Sequence, residues 1–152
     1  GFSAIQLAHS GDGLTLQTLM DEDILSTPPP GSDVFTTESP DREALGYLHV
    51  NCGHCHNDGP DRVPQVDLNF WIDANTASLE EAGVYRTAVN QDTVVFSDQH
   101  VEGRIVSGDP EHSAVLFRMA NRGNNAQMPP VGTEFVDEDG IELLTEWIGS
   151  LP

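Results

Sequence analysis

The chain has 152 residues and no lysine; its basic side chains besides histidine are six arginines, at 42, 62, 86, 104, 118 and 122. Against them stand 25 aspartates and glutamates, for a formal net charge of −19. Phosphate binding needs clustered Lys or Arg, so nucleic acid is excluded as a partner, and anionic lipid surfaces with it. The acids are scattered along the whole chain, which suits a solvated acidic coat. A surface that steers a basic partner is the sharper reading of the same charge. No apolar run approaches the ~18 residues of a membrane span, so none is expected. The start, Gly1-Phe2-Ser3-Ala4, has no basic n-region and no apolar h-region. An export signal is therefore expected to have been removed, and its absence does not argue for the cytoplasm.

Hydrophobic residues make up 38% of the chain, enough for one compact domain with its own core. Residues 1–38 have weak periodicity and end in Pro28-Pro29-Pro30-Gly31-Ser32-Asp33, a stiff stretch that no helix continues through. They read as a lead-in with one short helix around Leu14 to Leu25 and a linker, either the cut end of a longer protein or a segment packed over the domain. The domain proper is expected over 39–152. Ser39-Pro40-Asp41 opens a helix with a cap, a proline at the first position and an acid in the first turn. Ala44, Leu45, Leu48 and Cys52 lie on one face of it. A short helix interrupted by Gly83 is expected within Ser78 to Val89. Val94-Val95-Phe96 and Arg104-Ile105-Val106 read as two short strands. Asp109-Pro110 starts another helix. Asp137-Glu138-Asp139 starts the last, whose apolar stripe is Ile141, Leu144, Trp147, Ile148 and Leu151. The pattern predicts an all-α fold with long loops and room for one short β-hairpin, needing something besides its own side chains at the centre.

The only two cysteines stand in Val50-Asn-Cys52-Gly-His-Cys55-His56-Asn-Asp58. Cys-Gly-His-Cys is the dithiol of a disulfide isomerase, but that chemistry places its first sulfur at a helix N-terminus, where the thiolate is stabilised. Here the helix precedes the motif, and Asn57-Asp58-Gly59-Pro60 follows where a redox helix would run on. Covalent haem attachment uses every letter: two thiols three positions apart add to the porphyrin vinyl groups, and His56 becomes the proximal iron ligand. A structural zinc site would need a second Cys or His pair at regular spacing. A disulfide closing so small a loop contributes little stability. The five-residue pattern therefore favours haem c over thiol redox, zinc and a plain disulfide.

The other axial position decides between electron transfer and ligand binding. Met20, Met119, Met128 and the histidines at 9, 49, 54, 100 and 112 are the candidates. Met128 stands in Gln127-Met-Pro-Pro-Val-Gly132, where two prolines stiffen the backbone that would present the thioether. Met119 falls in an apolar run and reads as a core side chain. His49 and His54 are too near the attachment site to reach the far face and read as surface or haem-edge residues. His100 and His112 are weaker alternatives.

Tyr47 to His56, Ile105 to Ser113, Gln127 to Pro130 and Val136 to Ile148 resemble successive blocks of bacterial c-type cytochrome domains, over residues 39–152. The resemblance implies a mostly helical cytochrome c fold around one haem, with an N-terminal helix crossing a C-terminal one. It also implies covalent attachment through Cys52 and Cys55, with His56 and Met128 as axial ligands. Attachment after export implies a periplasmic or extracellular protein. Arg62, Trp71 and Arg104 are the guesses for contacts to the propionates. The expected function is an electron carrier rather than an enzyme, alone or as a domain of a larger oxidoreductase, with redox partners that present a basic face. The alternatives are a haem-based ligand binder or sensor and, behind it, a thiol-disulfide oxidoreductase.

Overall fold

A computed structural model describes residues 3–9, 11–29, 41–60, 66–76 and 78–152. It is mostly helical with little strand. The helices among the described residues are α1 (Ala4–Leu7), α2 (Leu16–Asp21), α3 (Asp41–Asn51), α4 (Gly83–Thr87), α5 (Ala114–Ala120) and α6 (Glu138–Ser150). None is long and apolar enough to cross a membrane.

The frame of the domain is the contact between α3 and α6. Both helices turn the expected stripe inward: Ala44, Leu45 and Leu48 on α3, and Leu144, Trp147 and Ile148 on α6, are fully buried. At one end of the contact Gly140 lets the helices approach, because a Cβ there would collide with the Tyr47 ring. Asp137 works twice at that point. It caps α6 by accepting from the Gly140 N–H at 3.0 Å, and it accepts the Tyr47 hydroxyl at 2.8 Å. The indole of Trp147 donates back across the interface to Asp41 at 2.7 Å. Two side chains on each helix thus convert an apolar contact into one with a single register.

The lead-in does more than a linker requires. α2 forms inside the expected span, capped by Thr15, whose hydroxyl accepts from Thr18 N–H at 3.1 Å. α1 precedes it, and Ile5, Leu7, Leu16 and Leu19 join the same hydrophobic cluster as α3 and α6. Residues 30–40, with the expected cap Ser39-Pro40 and the boundary at 38, lie outside the described residues, as does Arg62.

Three expectations are corrected. α4 begins at Gly83 rather than being interrupted by it, and glycine is needed there since a Cβ at 83 would sit 2.7 Å from Asn69 Cγ. α5 begins at Ala114, with Ser113 at the N-cap position making no side-chain cap bond, and not at Asp109-Pro110. Its first amides are claimed by other backbone: Ala114 N–H donates to Gly103 O at 2.9 Å and Val115 N–H to Arg104 O at 3.1 Å. Asp109 instead accepts from the His112 amide and pairs with its ring at 2.7 Å. The β-hairpin is absent among the described residues. Ile105 makes only an isolated parallel bridge to Val89, and Val106 only an isolated antiparallel one to Asp109. Val94 and Val95 are 72% and 79% exposed, so their β-branched side chains have no partner strand to pack on.

Candidate functional site

α3 runs directly into the cysteine motif. Cys52 N–H still donates to Leu48 O at 2.9 Å, and a tight turn follows in which the amides of Cys55 and His56 both reach Cys52 O, at 3.1 and 2.9 Å. Gly53 is required in this turn, since a Cβ would lie 2.6 Å from His49 O. Asn57 closes it from outside, its side-chain amide donating to Gly53 O at 2.9 Å and His54 O at 3.0 Å. Sequence reasoning passed over Asn57; its signal is the ability of an Asn in a turn to bond nearby backbone.

A second segment braces the turn. Phe70 N–H donates to His56 O at 2.8 Å, and the Phe70 ring meets the His56 ring edge-on at 5.7 Å. Two residues on, Ile72 N–H donates to His49 Nδ1 at 2.9 Å. His49 is therefore not a surface residue: it is 2% exposed, its ring tilted against that of Trp71 at 4.4 Å, and it stays neutral. Burial, with the nearby His54, pushes its pKa down.

Cys52, His56 and Met128 open on one cavity of about 360 Å³, within the ~300–1,000 Å³ range of small-molecule and cofactor sites. Leu68, Phe70, Val94, Val95 and Phe96 make its walls largely apolar, and Arg104, Arg118 and Met119 also line it. Cys55 is exposed and is not part of the lining. His56 is buried, and burial together with the charges of Arg118 and Arg104 holds its pKa below the ordinary value, so the ring is neutral at pH 7. Its Nδ1 is sealed from solvent without a hydrogen-bond partner among the described residues. The Cys52 thiol is pushed up to about 12, first by burial and then by Cys55.

Met128 arrives on a loop held by its neighbours. Gln127 is the organiser: its side chain accepts from Gly123 N–H at 2.7 Å and donates to Pro129 O and Thr133 O, each at 3.2 Å. Arg104 is brought to the cavity as guessed, but its guanidinium donates to the carbonyls of Asp67 and Thr87, tying the bracing segment to α4. Trp71 is not on the lining; it packs on His49 and His54. His100 and His112 also lie off the cavity, paired with Asp98 and Asp109. Among the described residues no group of three or more His, Cys, Asp and Glu side chains gathers as a metal site.

Comparison of the chain with protein-family models, with curated proteins and with solved structures finds no match.

Proposed function

We propose that the chain is a monohaem electron-transfer protein of the c-type cytochrome kind, carrying one haem bound through Cys52 and Cys55 with His56 and Met128 as axial ligands. The observation that carries this reading is that Cys52 and His56 of one motif and Met128, distant in the sequence, line a single largely apolar cavity of cofactor size. The donor set fits the group. A histidine that ligates iron must be neutral, and burial keeps His56 neutral. The buried ring nitrogen Nδ1 has no hydrogen-bond partner among the described residues. Thioether and imidazole in one apolar pocket are the pair that suits electron shuttling. When bound, the haem supplies a one-electron Fe(III)/Fe(II) couple. The chain's own residues bury it, hold it in place and leave an edge for partners.

The competing dithiol chemistry is disfavoured by the same turn. A thiol-disulfide enzyme needs an exposed first sulfur with a lowered pKa, whereas the Cys52 thiol is half-buried and raised to about 12. The proposal includes export before attachment and redox partners with a basic docking face.

The test is an intact mass under denaturing, reducing conditions, on chain made in cells with export and haem-attachment machinery. A gain of one haem over the 16.5 kDa chain is expected, reduced or lost in C52S and C55S. An unmodified mass from such cells overturns the reading.

A further inference from the structure

We propose that Arg118 is the positioning residue that presents Met128, and that the same side chain supplies the cavity with a positive charge not spent on any acid among the described residues. Among the described residues, both hydrogen bonds tying residues 126–128 to α5 belong to Arg118. Its carbonyl accepts from Met128 N–H at 3.1 Å, and its Nε donates to Ala126 O at 3.0 Å. The residue thus grips the loop on either side of Gln127, by backbone and by side chain. The rest of the guanidinium is held over the Phe96 ring, with Cζ 4.7 Å from the centroid, and both residues line the cavity.

What sets Arg118 apart from Arg104, the other arginine on the cavity, is that its terminal nitrogens are left unspent among the described residues. In a chain with 25 acids and six arginines, no carboxylate among the described residues pairs with it. Its Nη groups make no hydrogen bond there either. Arg122, close by, differs: it spends its donors on the carbonyls of Met119, Asn121 and Phe135. A half-buried guanidinium, stacked on an aromatic face and open on an apolar cavity, is a charge directed at whatever occupies the cavity. Beside a one-electron centre such a cation favours the reduced state and works against the acidic coat. The charge role rests on the haem reading above; the positioning role does not.

The two roles separate in R118M and R118K, because lysine keeps the charge but cannot reproduce the planar Nε bond to Ala126 O. Hydrogen exchange at the Met128 amide reads the grip on the loop, and the one-electron midpoint of the haem-loaded chain reads the charge. In R118M, Met128 exchange is expected to quicken about tenfold, the equivalent of one lost hydrogen bond. The midpoint is expected to fall by about tenfold in the redox equilibrium, or about 59 mV. In R118K exchange should be as fast as in R118M, while more than half of the midpoint shift returns. Unchanged exchange in both variants overturns the positioning role, and equal midpoint shifts in both overturn the charge role. If R118M fails to fold, R118K decides the exchange question by itself. A chain that carries no haem by mass removes the electron-transfer reading and the charge role together. The exchange comparison on the haem-free chain then still decides whether Arg118 positions Met128.

Discussion

Replacing His49 by Asn isolates one buried hydrogen bond and its proton linkage. In the folded chain His49 Nδ1 accepts the Ile72 amide at 2.9 Å in a site closed by Trp71, so protonation requires breaking that bond inside the core. The folded pKa is accordingly depressed, by burial first and His54 second, while the unfolded histidine titrates near ~6.5. For a depressed histidine the unfolded state takes up the proton first. Stability is therefore full above about pH 6.5 and falls as pH drops towards the folded pKa, with a slope of at most ~1.4 kcal/mol per pH unit from this one group. An Asn at 49 can place its side-chain oxygen near the position of Nδ1 and does not titrate. H49A removes the acceptor and leaves the Ile72 N–H buried and unpaired, at a cost of about 1–3 kcal/mol plus lost packing on Trp71. Urea unfolding of the full chain at several pH values between 5 and 8 measures all three proteins. Wild type and H49N should converge in slope above pH 7 and separate below about 6.5, with H49N flatter and H49A lowest throughout. Parallel wild-type and H49N curves across that range would refute the placement of His49 as a neutral, buried acceptor.

Other perturbations test the frame and the site. W147F keeps most of the buried ring but removes the indole donor to Asp41; the orphaned carboxylate bond costs about 1.5–3 kcal/mol in urea unfolding, and restoration by a second change, D41A, would show the coupling in a double-mutant cycle. G140A forces a methyl into the Tyr47 ring and should cost about 1–3 kcal/mol, a loss that Y47A in the same chain should relieve. On haem-loaded protein, M128A is expected to open the sixth position, giving rapid carbon monoxide binding in the reduced form and a lower midpoint; slow binding like that of wild type would argue that Met128 is not the ligand.

The legible parts of this chain are those in which local signals agree with a partner available nearby. α6 combines a side-chain cap at Asp137 with an apolar stripe, and α3 carries its stripe straight into the cysteines; both are present with the expected buried faces. The elements misread depend on contacts between distant segments. Val94 and Val95 have strand-forming side chains but line a cavity instead of pairing. The start of α5 is set by the carbonyls of Gly103 and Arg104, which no cap signal at Asp109 reveals. His49 looks like a polar residue beside a motif, and only the arrival of Ile72 N–H explains its burial. At the site, Cys52, His56 and Met128 come together on one cavity, while Cys55 stays exposed and Trp71 faces His49 and His54. Asn57 and Arg118 escaped notice because their partners are backbone atoms, which leave no trace in side-chain patterns.

The arginines connect the composition to the site. A chain this acidic has few cations to place, and Arg104, Arg118 and Arg122 all place theirs on backbone carbonyls around the cavity rather than on carboxylates. Exposed ion pairs on such a surface would contribute little, a median of about 0–1 kcal/mol each. A guanidinium bonded to carbonyls rather than to a carboxylate has no counter-charge at contact, so its positive charge is felt at the cavity wall. The acidic exterior and the cationic wall would therefore act on a redox group bound as proposed with opposite signs and over different ranges. The exterior charge is screened within a Debye length, about 10 Å at 0.1 M salt, whereas charges at a half-buried wall are screened far less. On the proposed electron-transfer reading, salt would weaken the attraction of a basic partner to the surface while leaving the electrostatics inside the cavity nearly unchanged, so that docking and midpoint would be set independently by the same acidic chain.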